Sequence, residues 1–289
     1  MKFFKNVIFI SLILLSAYSK AQTLNVFVSS HPDDWQLFMN PNAYHSLDSL
    51  QNKTIFLHVT AGDAGAEMTD NYYLAREEGS LRAIRFMVNA HGNKPDYGKE
   101  MKIDSSKING HNILNYEYAN AKAYFFRLHD GYIVANDTMV EHEGSLRRFY
   151  SGISSSIAPL DKSTTYNSID DLKKTMKQLV EKEATGFDKI IFHLADTDST
   201  LNINDHIDHL HSSKIMQEVA EESANTMVYL YEEYSTSTKP LNVHPEDYLI
   251  SAGTWGATAS GLSDLGHYPT WDAAHNSWVG KQYFRIKKQ

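Results

Sequence analysis

Four consecutive residues near the start of the 289-residue chain, His31-Pro32-Asp33-Asp34, have the composition of a metal-binding loop. They place one imidazole and two carboxylates close together, and Pro32 restricts the backbone between them, so more than one donor atom can be directed at a single cation. A divalent metal is the expected occupant. The alternative is a loop in which Asp33 or Asp34 caps the following helix and His31 has no chemical role.

A second histidine-rich segment, His206-Ile207-Asp208-His209-Leu210-His211, lies in the later part of the chain. His206 and His209 are three residues apart, so they face the same side of a first helical turn. Asp208 can accept a ring N–H from a neighbouring imidazole. The alternative for this segment is a solvated helix start that is rich in histidine.

The two segments together could hold one metal ion. The chain has no cysteine, so any metal must be bound by His, Asp and Glu. His31, Asp34 and His209 would supply three nitrogen or oxygen ligands and leave a fourth position for water. That is the arrangement of a catalytic zinc site rather than a structural one.

The predicted secondary structure brings the two segments to one place. Each follows a short apolar run typical of a buried strand, Leu24–Ser30 before the first and Lys189–Ala195 before the second. The sequence also predicts strands at Lys53–Thr60 and Ala121–Leu128, and helices at Tyr73–Ala90, at Ser168–Gly186 and after His206. Strands that alternate with helices predict a parallel, doubly wound α/β sheet whose carboxyl edge carries both segments.

Three other stretches carry weaker signals. The sequence predicts a helix from Asn40-Pro41 through Leu50, an irregular excursion over residues 91–120, and little regular structure over residues 136–167 beyond a short helix near Glu143–Tyr150. His58 and His193 lie inside apolar strands, so we interpret them as hydrogen-bonded core histidines.

Composition favours one large α/β domain over residues 22–289, with an aromatic-rich C-terminal extension from about residue 235. The chain is 42% hydrophobic and 21% charged, which is enough to build a sizeable core. Its net charge is −8 and no basic run is longer than two residues, which argues against nucleic acid or an anionic membrane as the main partner. A small neutral or cationic substrate fits better.

The first 21 residues have the pattern of a secretory signal peptide. Lys2 and Lys5 form a basic start, Val7–Ala17 is an apolar block, and Ser19-Lys20-Ala21 offers small residues for cleavage before Gln22. The alternative is an uncleaved anchor helix, but Lys20 follows the apolar block too soon for a comfortable membrane span. We therefore expect an exported protein, periplasmic or extracellular, with no stable membrane span after cleavage.

These features resemble the PIG-L (LmbE-like) family of zinc-dependent deacetylases. The resemblance rests on a strand ending in His-Pro-Asp-Asp, a helix carrying Arg-Glu-Glu at residues 76–78, an Asp-Gly pair at residues 130–131 and a late His-x-Asp-His that opens a helix. It extends from about Leu24 to Tyr234. It implies a Rossmann-like three-layer fold and hydrolysis of an N-acetyl group, typically on a glucosamine unit, with Zn²⁺ or another divalent transition metal as cofactor.

The resemblance also implies roles for the residues that match the motifs. His31, Asp34 and His209 would bind the metal, and Asp33 would be the general base. The chain departs from the family at Trp35, where an acidic residue is usual, so either the local hydrogen bonding or the usual substrate is in doubt.

Three further positions complete the implied site. His206 would stabilise the oxyanion, and its protonated form could donate a charge-assisted hydrogen bond. Arg76 and Asp130 would contact the sugar. From the residues alone, Arg76 could instead belong to an ion-pair network on its helix, and Asp130 could be a turn residue before Gly131. Ile207 replaces the usual proline of the late motif without removing a ligand.

The leading hypothesis is an exported zinc-dependent N-deacetylase. The alternatives are a hydrolase of another amide bond in an amino-sugar conjugate and a non-catalytic carbohydrate-binding protein. The aromatic residues of the tail could stack on sugar rings or pack the tail onto the domain. They are Trp255, Tyr268, Trp271, Trp278 and Tyr283.

Overall fold

The computed structural model describes residues 22–96, 101–135 and 138–288, so the proposed signal peptide lies outside the described part. The strands are β1 Thr23–Ser29, β2 Lys53–Thr60, β3 Lys102–Ile108, β4 His111–Tyr118, β5 Ala121–Leu128, β6 Tyr132–Ala135, β7 Thr138–Glu141, β8 Lys189–Ala195, β9 Thr226–Tyr231 and β10 Phe284–Lys288. The helices are α1 Asp34–Phe38, α2 Asn42–His45, α3 Tyr72–Ala90, α4 Leu146–Tyr150, α5 Ile169–Glu183, α6 Ile207–Glu221, α7 Pro245–Asp264 and α8 Ala273–Asn276, with a 3₁₀ turn at Tyr234–Thr238.

Eight of these strands form one sheet in the order β10-β9-β8-β1-β2-β5-β4-β3. The five central strands, from β9 to β5, pair in parallel, whereas β10, β4 and β3 are antiparallel additions at the two edges. All five parallel strands therefore end at the same edge, which is where sheets of this class place their ligands. The predicted α/β fold with a mostly parallel sheet is confirmed.

Side chains alternate between the two faces of the sheet and enter two separate cores. Along β1, Leu24, Val26 and Val28 join the core that α4, α5 and α6 cover. Phe27 points the other way and joins the core under α1, α3 and α7. Burial on both faces explains why the central strands are continuous apolar runs rather than alternating ones. The result is the expected arrangement of three layers.

The C-terminal residues supply much of the second helical layer. Helix α7 packs along α3 at Gly79 and Gly261, where a Cβ added at Gly261 would lie 2.5 Å from the Gly79 Cα. Trp255 of the same helix is fully buried. The sequence did not predict this helix, because glycine and small polar residues interrupt the apolar residues of its buried face.

Two local predictions were wrong. Residues 91–120 contain the hairpin of β3 and β4 rather than an irregular excursion. Strand β3 is a largely exposed edge strand with a polar sequence, so it lacks the apolar signal of a buried strand. The predicted helix through Leu50 is also limited to the four residues of α2. Within the described residues, no helix has both the length and the apolar character needed to cross a membrane.

Candidate metal centre

Loops from the carboxyl ends of the parallel strands surround one cavity of about 190 Å³. His31 follows β1, Asp130 follows β5 and His206 follows β8, and all three line the cavity. The two histidine-rich segments therefore meet at the predicted edge of the sheet.

Three donor atoms form a nearly equilateral triangle beside this cavity. Nδ1 of His31 lies 3.1 Å from Nε2 of His209. Oδ1 of Asp34 lies 3.3 Å from the first nitrogen and 3.2 Å from the second. Ligands held 2.0–2.1 Å from a tetrahedral zinc ion are separated by about 3.3 Å. The residues predicted as metal ligands thus converge with the spacing of one face of such a site.

The remaining ring nitrogens face carboxylates. Nε2 of His31 lies 3.4 Å from Oδ2 of Asp208, and Nδ1 of His209 lies 2.8 Å from Oδ1 of Asp205 and 2.5 Å from Oε2 of Glu233. Acceptors at these positions favour the N–H there and leave the lone pairs of both rings on the triangle. Three lone pairs at such short separations repel one another unless a cation lies between them, so the donor set fits a metal ion.

The electrostatics of the triangle also favour positive charge. Burial lowers the pKa of His31, but the charges of Asp34 and Asp130 and the polar contacts with Asp34 and Asp208 together outweigh it and raise that pKa to about 10. Burial likewise opposes ionisation of Asp34, yet the charges of His209 and His31 hold its pKa well below the usual range. When no metal is bound, protons on the imidazoles of His31 and His209 supply this positive charge, so metal binding must displace those protons.

Three other groups of side chains in the described ranges lie close enough to hold a cation. One adds His206 to His31 and His209, but Nδ1 of His206 already accepts the backbone N–H of Asp208. A second consists of His31, Asp130, His206 and Asp208 and is wider than the triangle, with contacts of 3.4 to 3.8 Å. The third consists of Asp205, His209 and Glu233 and meets only the outer nitrogen of His209. The triangle is therefore the better candidate.

His206 lies beside the triangle as a neutral hydrogen-bond donor. Its Nδ1 accepts the backbone N–H of Asp208 at the start of α6, which leaves the proton on Nε2, 3.7 Å from Oδ1 of Asp130. Burial and the charges of His31 and His209 lower the pKa of His206 to about 2. The protonated form that we expected from the sequence is therefore disfavoured, because the neighbouring histidines take the positive charge.

Arg76 and Asp33 form an ion pair at the cavity wall. A second nitrogen of Arg76, Nη1, donates to the carbonyl oxygen of Gly62 at 2.7 Å. The sequence also allowed Arg76 to form an ion pair along its own helix, but the i,i+4 pair on that helix joins Arg82 to Glu78. Arg76 thus reaches across to the metal-binding loop, and its Nε is buried without a partner.

Asp130 serves both as a turn residue and as a cavity residue. Its Oδ1 accepts the backbone N–H of Tyr132 at 3.1 Å, and its own N–H donates to Asp63. Burial raises the pKa of Asp130. The following Gly131 N–H donates to Oδ2 of Asp208 at 2.7 Å, which fixes the carboxylate that faces His31. Oδ2 of Asp208 lies near the rings of both His31 and His206 without a hydrogen bond to Nε2 of His31, so its role as acceptor of a ring N–H stays a prediction.

Some aromatic residues of the tail line the cavity, where they could stack on a sugar ring, and others pack into the core of the domain. Trp278 lines the cavity together with Tyr234, and the two rings stack with centroids 5.2 Å apart. Trp255 is a core residue. Trp35 is also fully buried: its indole N–H donates to Ser80, and its ring packs on Phe56 rather than facing the metal ligands.

Sequence reasoning missed several residues near the metal centre, among them Asp205, Glu233, Phe38, Tyr72, Tyr234 and His275. Asp205 directly precedes the second histidine segment, so its position was a usable signal. Glu233 follows β9 as one acid among several, which gives no signal of its own. The two core histidines were predicted correctly: His58 bonds to Ser80 and His193 to Tyr231.

Comparison with known proteins shows likeness in fold. No protein-family model matches the sequence, and no curated protein sequence matches it. The structure is similar to that of N,N'-diacetylchitobiose deacetylase from Pyrococcus horikoshii in complex with its inhibitor, with a TM-score of 0.52 and 13% sequence identity. The match covers 96% of this chain and 87% of the other. At this identity the likeness shows a shared α/β architecture.

Proposed function

We propose that the protein is a metal-dependent amide hydrolase that removes the N-acetyl group from an amino sugar or its conjugate. The observation that carries the proposal is the triangle of His31, Asp34 and His209, with edges of 3.1 to 3.3 Å. The likeness in fold to a chitobiose deacetylase supports the reaction class. The sequence pattern of residues 1–21 supports export, which remains part of the proposal.

Zinc is the proposed metal, held by the three triangle residues. Their nitrogen and oxygen donors suit zinc and its neighbours in affinity, and the absence of cysteine leaves no competing thiolate site. When bound, the metal would supply Lewis acidity that makes water a stronger nucleophile near neutral pH and polarises an amide carbonyl.

The chain itself supplies the proton transfers and the hydrogen bonds. Asp33 lines the cavity next to the ligand Asp34, and its carboxylate can take a proton from attacking water. His206 presents a neutral Nε2–H that can stabilise the oxyanion. Arg76, paired with Asp33, holds that carboxylate at the cavity wall. Return of a proton to the leaving amine falls to Asp33, which received one from the attacking water, because the lowered pKa of His206 leaves that imidazole neutral with no extra proton to give.

The lining of the cavity suits a small sugar. Arg76 and Asp130 form a polar side that can bind hydroxyl groups, whereas Phe38, Tyr234 and Trp278 form an aromatic side that can stack on a sugar ring. The many carboxylates around the site disfavour an anionic substrate. A neutral N-acetyl sugar, which leaves as a cationic amine, fits both surfaces.

The decisive experiment combines metal analysis with an acetate-release assay on the purified protein. We expect about one zinc ion per chain and acetate release from at least one member of a panel of N-acetyl amino sugars. Release of a different fragment from N-acyl conjugates would instead identify another amide hydrolase. Saturable sugar binding without turnover, across pH and added divalent metals, would identify a binding protein and reject the proposal.

A further inference from the structure

Two acidic side chains from different strand ends converge on the nitrogen of His209 that faces away from the triangle. Asp205 lies just before α6, and Glu233 follows β9. Oδ1 of Asp205 is hydrogen-bonded to Nδ1 of His209 at 2.8 Å. Oε2 of Glu233 lies 2.5 Å from the same nitrogen but outside hydrogen-bond geometry, and the three side chains are almost completely buried. One imidazole nitrogen thus faces two carboxyl groups.

The side chain of Asn202 ties the two acids together. Its Nδ2 donates to Oδ2 of Asp205 at 2.6 Å and to the carbonyl oxygen of Asp196 at 3.0 Å. Its Oδ1 accepts the backbone N–H of Glu233 at 2.9 Å. Because Asn202 is itself buried, the side chain of Asp205 and the backbone of Glu233 are held in place by one hydrogen-bond network.

Stability alone does not explain this arrangement. Burying two carboxyl groups around one ring carries a large desolvation cost, and apolar residues of similar volume would often be as stable or more so. The pair does, however, control the ring. A proton held on Nδ1 leaves the lone pair on Nε2, and contacts from two directions prevent the ring from swinging about its Cβ.

We propose that Glu233, acting together with Asp205, is a positioning residue that holds Nε2 of His209 toward His31 and Asp34. The inference rests on the proposed function, because the atom being positioned is a proposed metal ligand. Loss of the Glu233 carboxyl group lets the ring move while Asp205 keeps the proton on Nδ1, which weakens metal binding without removing a ligand.

The test compares Glu233→Gln with Glu232→Gln in the full chain. Glu232 is the adjacent residue but pairs with Lys239, away from the triangle, so it is a matched control. We expect Glu233→Gln to lower zinc affinity roughly 10- to 100-fold in chelator competition, and the control to leave it unchanged. The visible spectrum of the cobalt-substituted protein should also shift in Glu233→Gln alone, because it reports the coordination geometry.

The outcomes separate this inference from the proposed function. Wild-type zinc affinity and an unchanged cobalt spectrum in Glu233→Gln overturn the positioning role while the metal centre stands. Failure of the wild-type protein to bind either metal overturns both. Circular dichroism of the metal-free variants checks the fold, and if Glu233→Gln does not fold, Asp205→Asn tests the other carboxyl group with the same two measurements.

Discussion

Nδ1 of His31 lies 3.1 Å from Nε2 of His209, although 178 residues separate them in the chain. The parallel pairing of β1 with β8 produces this contact, since it brings the loops after both strands to one edge of the sheet. Two imidazole nitrogens at this distance need a proton or a metal ion between them.

Removal of one member of this pair should abolish metal binding. In His209→Gln we expect bound zinc and acetate release to fall to background, because two ligands cannot hold the ion against a chelator. His211→Gln is the control, since it lies on the same helix but bonds to the carbonyl oxygen of Ile207. Metal analysis and circular dichroism check the result, and normal zinc content in His209→Gln would contradict the ligand assignment.

Asp33→Asn should separate catalysis from metal binding. The amide cannot accept the proton from water, so we expect the rate of acetate release to fall about 10²- to 10⁴-fold with zinc affinity retained. Asp48→Asn removes an exposed carboxylate elsewhere and should behave as wild type. A rate within a few fold of wild type in Asp33→Asn would assign the base to another group.

Gly62→Ala should impair the site more than it impairs the fold. Gly62 has φ +59°, and an added Cβ would overlap the guanidinium of Arg76. Gly92→Ala is the matched control, because Gly92 has φ +76° with open space around it. Both variants should lose roughly 1–2 kcal/mol of stability from the left-handed backbone. Only Gly62→Ala should also lose activity, by about 100-fold through displacement of Arg76; equal activities would show that the position of Arg76 is unimportant.

The buried core histidines should make stability depend on pH in the acidic range. Burial lowers the pKa of His193 to about 3 and that of His58 to about 4, from 6.5 in the unfolded chain. The unfolded state therefore binds more protons below pH 6.5, so the free energy of unfolding is highest above that pH and falls as the solution is acidified toward pH 4. Each imidazole lowers the free energy of unfolding by up to about 1.4 kcal/mol for each pH unit of acidification in this range.

Denaturant unfolding of His193→Gln between pH 4 and 6.5 measures this contribution. In His193→Gln the free energy of unfolding should change less steeply with pH than in wild type, by about the contribution of one imidazole. The exposed His244→Gln should show the wild-type pH dependence. The wild type and the variant have the same metal site, so its contribution cancels when their pH dependences are compared. An identical slope in His193→Gln would show that this ring is not the group that titrates.

The central strands could be predicted from the sequence because they are buried on both faces. Strands β2, β5 and β8 have the predicted bounds, and β1 and α3 differ by one or two residues. The hairpin of β3 and β4 could not be predicted, because an exposed edge strand needs no apolar pattern. Helix α7 was missed for a related reason, since its close approach to α3 at Gly79 and Gly261 leaves only a broken apolar pattern on its buried face.

The sequence by itself determined which side chains could bind a metal and that they would follow parallel strands. Donor chemistry and hydrophobic periodicity are local properties, so His31, Asp34 and His209 could be selected together before any contact was known. Only the tertiary structure decided the protonation states in the site and the residues that position its metal ligands. The neutral state of His206 depends on its burial and on the nearby His31 and His209. The role proposed for Glu233 depends on where β9 ends, because electrostatics and burial act through distances in space.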